Sequence, residues 1–240
     1  MENQIRLNNY ISSTGMCSRR EADTLIEEKR VKVNGNIAVL GMRVNEEDIV
    51  LVDDKPITPK KKFVTLAYYK PAGITCTSEP DVKGNIIDAV NYPERIFPIG
   101  RLDKESEGLI LLTNDGSIVN QILRTENNHE KEYLVYVHKP IDREFKYLME
   151  EGVEIFNPVK NELTVTHPCH VRIIGEKIFK ITLKQGLNRQ IRRMCSALGY
   201  KVVCLKRIRI MNLTLDNINK GQYCIISDDE YDEYWDRLSS

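Results

Sequence analysis

The sequence predicts an α+β fold, in which a small module of two helices and a β-hairpin precedes a larger domain built on a mixed, mainly antiparallel sheet. Segments with strand periodicity outnumber segments with helix periodicity, and the helices do not alternate one-for-one with the strands as they do in doubly wound folds. Pro56, Pro59 and a run of lysines at residues 60–62 interrupt both patterns. We therefore expect two domains, at residues 1–60 and 63–236.

The first sixty residues carry the pattern of two short helices followed by a hairpin. Ser18 and Glu21 have the spacing of a capping box, which satisfies backbone N–H groups at a helix start. Asn34–Gly35 has the composition of a two-residue hairpin turn. The alternation of apolar and polar residues around this turn predicts inward-facing side chains at Val31, Val33, Ile37 and Val39.

The second domain alternates strand patterns with fewer helix patterns. Strand patterns occupy residues 63–69, 96–99, 109–112, 133–137, 171–174, 178–183 and 202–205. Helix patterns occupy residues 117–124, 142–150 and 188–198. In the last helix, apolar residues share one face while Arg189, Arg192 and Arg193 lie opposite, without an acidic neighbour in sequence. We expect these arginines to meet phosphates, or a carboxylate from another part of the fold.

The charges are balanced in number but not in position. There are 35 Lys and Arg residues against 35 Asp and Glu residues, so the total charge gives no indication of a nucleic-acid partner. Residues 177–215, however, contain ten basic residues and no acidic one, whereas residues 228–236 are strongly acidic. This distribution allows the protein to present one positive surface to a polyanion.

The cysteine and apolar patterns favour a cytoplasmic protein without a metal site. The 6 cysteines are widely spaced and form no Cys-x-x-Cys pair, which is typical of reduced thiols in the cytosol. No apolar run approaches the roughly 20 residues of a membrane span, and no secretory pattern precedes the first cysteine. His167, Cys169 and His170 match no standard zinc spacing. We expect a cytoplasmic monomer.

The string FPIGRLDKESEGLILLTNDG, at residues 97–116, carries the strongest functional signal. On residue pattern alone, Asp103 is a loop carboxylate between two strands, and such residues usually only bond their own backbone in a turn. As a string, however, Gly-Arg-Leu-Asp followed by Ser-x-Gly-Leu and Leu-Thr-Asn-Asp-Gly closely resembles the catalytic motif of the RsuA-type ribosomal RNA pseudouridine synthases. The resemblance implies that Asp103 is the catalytic carboxylate.

Further segments resemble the same family in the same order. KPAG at residues 70–73 resembles its first motif. KEYLV at 131–135 resembles the strand whose tyrosine stacks on the target base, which would be Tyr133, although its alternation alone indicates one face of a strand. GLNRQIRRM at 186–194 resembles the segment whose first arginine pairs with the catalytic aspartate, which would be Arg189. These segments resemble the RluF-like branch of the family most closely. That branch acts on large-subunit ribosomal RNA.

The resemblance implies an isomerisation that needs no cofactor. Pseudouridine formation detaches uracil from its ribose, rotates it and rejoins it through carbon, and the sequence contains no P-loop or dinucleotide fingerprint. A bidentate pair with Arg189 would keep Asp103 ionised. Tyr133 would hold the base after its removal from the stack. Whether Asp103 attacks the sugar or removes a sugar proton stays open, and transfer RNA is an alternative substrate.

The segment at residues 5–52 resembles the RNA-binding module named after ribosomal protein four of the small subunit. Two of its arginines fall in the first turn of a helix, where the macrodipole disfavours cations, so an RNA contact would explain them. We expect one basic patch on this module, formed by Arg6 on the first helix with Arg19, Arg20 and Lys32. In the second domain we expect RNA contacts from Arg101, Arg192, Arg193, Lys206 and Arg207.

Two other functions fit parts of this pattern. An RNA chaperone or ribosome-assembly factor would use the same basic surfaces, but it would not require Asp103. A glycoside hydrolase would pair Asp103 with Glu105 or Glu107, since retaining enzymes hold two carboxyl groups about 5 to 5.5 Å apart. That interpretation leaves the arginine-rich helix and the N-terminal module unexplained.

Overall fold

A computed structural model describes residues 4–45, 47–59, 63–123 and 129–226. The predicted lysine linker and the acidic C-terminal stretch lie outside these ranges. The chain divides into two compact units, the first formed by Met1–Val64, Pro93–Ile96 and Thr113–Gly116, and the second by the remaining residues. No helix in the described ranges has the length and apolar character that crossing a membrane requires.

Within its described residues, the first unit contains two helices and six short strands. The helices are α1 (Leu7–Ser13) and α2 (Arg19–Glu27). The strands are β1 (Ile5–Arg6), β2 (Val31–Val33), β3 (Asn36–Ile37), β4 (Arg43–Val44), β5 (Val50–Val52) and β6 (Lys55–Pro56). One antiparallel sheet has the order β3-β2-β5-β6, and β1 pairs with β4. The predicted capping box is confirmed, because the Ser18 hydroxyl accepts from the Glu21 N–H and the Glu21 carboxylate from the Ser18 N–H.

The predicted hairpin is present, but part of its predicted core face is wrong. Asn34 and Gly35 have positive φ values of 50° and 83°, as the tight two-residue turn requires. That turn sets a register in which Ile37 lies opposite Lys32. Because directly paired residues share a face of the sheet and Lys32 points away from the core, Ile37 is 54% exposed. Val39 is also exposed, at 61%, and the residue between them is buried instead.

The second unit is the predicted α+β domain, and its mixed sheet is confirmed. Its helices are α3 (Ile86–Val90), α4 (Ile118–Leu123), α5 (Arg143–Glu151) and α6 (Gln190–Ala197). Its strands are β7 (Thr65–Lys70), β8 (Phe97–Ile99), β9 (Glu107–Thr113), β10 (Lys131–Val137), β11 (Glu154–Asn157), β12 (Glu162–Val165), β13 (His170–Gly175), β14 (Ile178–Leu183), β15 (Val202–Ile210), β16 (Leu213–Thr214) and β17 (Tyr223–Ile225).

Nine of these strands, within the described ranges, form one sheet of order β13-β14-β10-β15-β9-β7-β17, with β16 beside β15 and β8 beside β9. The β9–β15 pair is parallel, whereas β10 is antiparallel to both β14 and β15. One apolar cluster packs α5 and α6 against the β10 side, and another packs α4 against β7 and β9. All four central residues of β9, at 109–112, are completely buried. The sheet is thus a rigid base for the loop that precedes β9.

The parallel pair β9–β15 is unusually close at one point. Gly108 pairs with Arg207 and has a φ of +117°, which side chains other than glycine's rarely adopt. A Cβ atom at Gly108 would lie 2.2 Å from the Arg207 carbonyl oxygen and 2.6 Å from its nitrogen. Because these are backbone atoms of a central strand, they cannot move away cheaply. Only glycine fits at this position.

We therefore expect Gly108→Ala to lower the free energy of unfolding by more than about 2 kcal/mol, from backbone strain together with steric overlap. Chemical denaturation followed by circular dichroism measures this. Gly175→Ala is the matched control, because its added Cβ meets only ordinary contacts at 3.6 to 3.7 Å. Equal stability of the two variants would show that the β9–β15 pair is looser than described.

Candidate active site

The loop between β8 and β9 carries Asp103 and is fixed by backbone bonds. The Gly73 N–H donates to the Lys104 carbonyl at 2.7 Å, and the Leu102 N–H donates to Cys76 Sγ at 3.3 Å. The Ser106 N–H donates to the Asp103 carbonyl at 3.0 Å, which closes a turn around the aspartate. Asp103 itself is partly exposed. Its carboxylate is therefore accessible, yet its backbone is held in place.

A buried lysine fixes the turn that is hydrogen-bonded to this loop. Lys70, at the end of β7, has no exposed surface, and its ammonium donates to the carbonyls of Pro71 and Ile74 at 2.9 Å each. Burial lowers the pKa of Lys70, and the nearby charges of Asp103 and Glu107 oppose part of that shift. The lysine of the first matching motif thus fixes a turn and does not reach into solvent.

Arg189 approaches Asp103 from the other side, but it is shared with a second carboxylate. Its Nη1 lies 3.6 Å from Asp103 Oδ2 and donates a hydrogen bond to Glu105 Oε2 at 2.9 Å. The predicted bidentate pair between Arg189 and Asp103 is therefore wrong, because Glu105 competes for the same guanidinium nitrogen. The hydrogen bond raises the pKa of Arg189 and lowers that of Glu105.

The backbone at Arg189 is strained and braced by a glutamine. Arg189 precedes α6 in the left-handed conformation, with φ 50° and ψ 33°, which a residue other than glycine keeps only when its surroundings impose it. Gln190 is buried, accepts from the Leu187 N–H at 3.0 Å and donates to Gln185 Oε1 at 3.1 Å. This bonding fixes the turn that directs Arg189 toward Asp103.

A second arginine reaches the same carboxylate. Arg192 Nε lies 3.8 Å from Asp103 Oδ2, and its Nη2 donates to Ser106 Oγ at 3.1 Å. The side chain is only 15% exposed, and the predicted RNA contact at this residue stays a prediction. Residues 189 and 192 are neighbours on the helix surface. Asp103 and Glu105 are thus the carboxylates from another part of the fold that Arg189 and Arg192 meet.

One cleft brings the predicted catalytic residues together. It has a volume of about 600 Å³, and Asp103, Tyr133 and Arg189 all line it. Tyr133, on β10, is partly buried and packs against the larger apolar cluster. A smaller recess of about 90 Å³ is lined by the same three residues. Other residues around the cleft include Thr75, Cys76, Gly100, Arg101, Leu111, Ile122, Lys131, Lys184, Arg207 and Ile210.

The remaining basic residues of the second unit have different surroundings. Arg101 is exposed at the cleft, and Arg193 donates to the carbonyl and side-chain oxygens of Asn188. Lys206 lies 4.8 Å above the Tyr69 ring. Arg207 is only 4% exposed, because it lies opposite Tyr133 in a strand between β9 and β10. The predicted RNA contact at this residue stays a prediction.

The four cations of the first unit have different surroundings, and their predicted single patch stays a prediction. Arg6 belongs to β1 and not to the first helix, and it lines a hollow with Asp23 and Glu27. Lys32 forms an ion pair at 2.6 Å with a carboxylate after β5. Arg19 and Arg20 are exposed, and their guanidinium groups have no hydrogen bond or ion pair within the described part of the chain. These two arginines are the ones available to a polyanion.

The histidine and cysteine group at residues 167–170 has the wrong chemistry for zinc. Cys169 Sγ donates to the Met149 carbonyl at 3.0 Å, and burial raises the pKa of its thiol to about 12. Zinc requires a thiolate, so this environment opposes metal binding. His170 Nδ1 lies 3.4 Å from Glu150. Among the residues that the structure describes, no three His, Cys, Asp or Glu side chains are grouped to hold a metal.

Comparison with known proteins decides the family. A model of RNA pseudouridylate synthase matches residues 64–197, and a model of the S4 domain matches residues 5–50. This chain belongs to the RNA pseudouridylate synthase family. It is a pseudouridine synthase, 50% identical over 231 residues to the dual-specificity RNA pseudouridine synthase RluF of Escherichia coli strain K12, with 95% of this chain and 78% of the relative covered. The expected family, branch and N-terminal module are confirmed.

More distant relatives agree with this membership. The pseudouridine synthase is 32% identical over 225 residues to the ribosomal large subunit pseudouridine synthase B of Bacillus subtilis, covering 90% of this chain and 89% of that one. A crystal structure of a pseudouridylate synthase superimposes with a TM-score of 0.69 and 28% identity, over 95% of this chain and 98% of the other. The likeness therefore extends through both units.

We expect pseudouridine formation to survive exhaustive chelation, because burial keeps the Cys169 thiol protonated and unsuited to zinc. The measurement compares enzyme dialysed against EDTA and 1,10-phenanthroline with untreated enzyme. Loss of activity that returns only when zinc is added would contradict this prediction.

Proposed function

We propose that this enzyme isomerises a specific uridine of large-subunit ribosomal RNA in the cytoplasm, with Asp103 as the catalytic carboxylate and no cofactor. The observation that carries the proposal is the cleft that Asp103, Tyr133 and Arg189 line together. The Bacillus subtilis relative is a large-subunit synthase, which supports the choice of RNA. The dual specificity of the Escherichia coli relative makes transfer RNA a second candidate substrate.

Asp103 acts on the sugar of the target uridine, either by bonding to it or by taking a sugar proton. Both roles require an ionised carboxylate, and two guanidinium groups lie within 4 Å of it. Arg189 Nη1 lies near enough to the Asp103 carboxylate to stabilise its negative charge, while it donates its hydrogen bond to Glu105. Arg192 holds its position through Ser106. The two arginines thus act as positioning residues for Asp103.

Tyr133 provides a surface for the extruded base. Enzymes that act on nucleobases remove the target from its stack, at a cost of a few kcal/mol, and receive it between aromatic or apolar side chains. Tyr133 lies in the cleft with its backbone fixed between β14 and β15. Ring stacking there holds the uracil while it rotates.

The alternatives of a chaperone and a glycosidase fit the site less well. A chaperone has no use for a carboxylate held by two arginines at the edge of a cleft. The carboxylates that would complete a glycosidase pair are already engaged, because Glu105 accepts from Arg189 and Glu107 accepts from Tyr69 and Lys220. A pseudouridine synthase requires only the carboxylate of Asp103, beside which the two arginines donate their hydrogen bonds to Glu105 and Ser106.

Asp103→Asn should abolish pseudouridine formation and leave the fold and RNA affinity near wild type, since it removes charge at nearly constant volume. Mapping pseudouridines in ribosomal and transfer RNA incubated with each variant measures this. Asp81→Asn is the matched control, because it removes the same charge from an exposed residue away from the cleft. An active Asp103→Asn enzyme would refute the assignment of the catalytic residue.

The N-terminal unit should add RNA affinity through Arg19 and Arg20. Replacing both by alanine should lower the slope of log affinity against log salt by about 1.4 to 1.8, since each lost phosphate contact is worth about 0.7 to 0.9. Filter binding over a salt series measures the slope.

The double replacement of Arg6 and Lys32 by alanine is the control of equal charge, and its effect should be smaller because carboxylates already lie beside both residues. If the two double variants lost affinity equally, the four cations would act as the single patch that the sequence predicts. If neither lost affinity, the module would need another role.

A further inference from the structure

A β-bulge in β15, where this strand pairs with β10, brings the side chains of Arg207 and Ile210 to the same face, toward the cleft. Lys131 pairs with Ile210 and Tyr133 pairs with Arg207, so Ile208 is an additional residue in β15. Directly paired residues share a face, as do residues two apart in one strand. Lys131, Tyr133, Arg207 and Ile210 therefore all face the cleft, and all four line it. Bulges beside active sites commonly redirect a side chain in this way.

The two cations of this group lack an anionic partner. Neither Lys131 nor Arg207 has a carboxylate within 4 Å in the part of the chain that the structure describes. Lys131 makes one long contact, 3.5 Å from its ammonium to the His129 carbonyl. Arg207 Nε donates to the Leu109 carbonyl at 2.7 Å, but its buried Nη2 has no hydrogen-bond partner.

The two acidic residues that flank Lys131 in sequence are engaged elsewhere. Glu130 accepts a hydrogen bond from Arg209 at 3.1 Å. Glu132 points to the opposite face of the sheet, where its carboxylate lies 3.5 Å from Arg209 and 3.7 Å from Lys180. Burial, and next the charge of Arg207, lower the pKa of Lys131 to about 8. Two adjacent cations without a counter-charge, one buried and one partly buried, destabilise a fold. Their retention in a cleft points to a ligand that supplies negative charge.

The position of the pair favours a base over a phosphate. Arg207 is only 4% exposed, and Leu111, Ile122 and Ile210 line the same cleft. A phosphate stays on the continuous RNA backbone, whereas an extruded base enters a pocket beneath it. A planar ring with two carbonyl oxygens also matches a wall that alternates apolar side chains with two N–H donors. The stacking surface of Tyr133 lies between them in the strand register.

We propose that Lys131 and Arg207 bind the carbonyl oxygens of the target uracil and stabilise the negative charge that the base carries while it is detached from the ribose. The proposal rests on the function proposed above. It makes both residues catalytic, because they touch the group on which charge develops.

The charge balance of the reaction explains the need for them. When the C1′–N1 bond breaks, its electron pair leaves with the base, and the negative charge spreads over N1, O2 and O4. The Asp103 carboxylate meets the electron deficiency of the sugar by bonding to C1′ or by taking the proton of C2′. On return, C5 bonds to C1′ while Asp103 leaves or gives the proton back. C5 then loses a proton and N1 gains one, so the net change is an isomerisation.

The test measures single-turnover release of tritium from [5-³H]uridine in the RNA that the wild type modifies, together with the Kd of that RNA. Lys131→Met should lower the rate constant by about 10²- to 10³-fold, as loss of one donor to a developing anion does elsewhere. The Kd should change by less than about threefold, because phosphate contacts dominate affinity. Lys131→Arg should restore most of the rate. Lys160→Met, on an exposed turn, is the control for lost charge.

A pH profile distinguishes this role from a structural one. Because burial lowers the pKa of Lys131, the ammonium is charged below about pH 8 and loses its proton as the pH rises through that value. The wild-type rate constant should fall over that range, and the fall should disappear in Lys131→Arg. Arg207→Lys, which keeps a cation at the second position, should slow the reaction at every pH.

An unchanged rate constant in Lys131→Met would overturn the inference. So would a weaker Kd with a smaller salt slope and a normal rate constant, because that result identifies a phosphate contact. If Lys131→Met does not fold, a wild-type-like pH profile in Lys131→Arg would overturn it. A wild type that forms no pseudouridine in ribosomal or transfer RNA would instead refute the proposed function.

Discussion

The close pairing of Gly108 with Arg207 is the constraint on which the cleft depends. Gly108 begins the buried part of β9, directly after the loop that carries Asp103, and Arg207 lies opposite Tyr133 on the next strand. Gly108, Arg207 and Tyr133 therefore form one row across three strands. This row fixes the distance from the Asp103 loop to the Tyr133 ring. A side chain at Gly108 would push β15 away and widen that row. The precision of the site thus comes from backbone contact in the sheet, and not from the loop itself.

Two arginines form ion pairs with Asp103 while they donate their hydrogen bonds to other residues. Arg189 and Arg192 both lie within 4 Å of its Oδ2, but their hydrogen bonds go to Glu105 and Ser106. An arginine bonded directly to both carboxylate oxygens would stabilise the anion more, and would also occupy the lone pairs that the reaction needs. The strained turn at Arg189 keeps this intermediate distance, and the buried bonds of Gln190 offset the strain.

Local patterns predicted much of the fold, and contacts between distant segments explain what they missed. The capping box and the hairpin turn depend on residues three or four apart, so sequence reveals them. The exposure of Ile37 depends on the register that the turn imposes, and the short β11–β12 hairpin and α3 are too brief to show a period. From residue pattern alone Asp103 is a turn residue, and only the resemblance of its motif identified it. The β15 bulge, which buries Arg207, leaves no sequence signal.

Burial determines which negatively charged groups the cations of this chain can meet. Exposed arginines such as Arg19, Arg20 and Arg101 are hydrated in the free protein. A phosphate contact made by such a residue weakens as the salt concentration rises. Arg207 is buried in the sheet, so bulk salt screens its charge much less than that of an exposed arginine. At the lower dielectric of the interior its Coulomb interactions are stronger. A neutral uracil gains little from such a group, whereas a departing uracil anion gains much more. On the proposed function, this difference between the two states is what accelerates the reaction, and it accounts for two cations beside Tyr133.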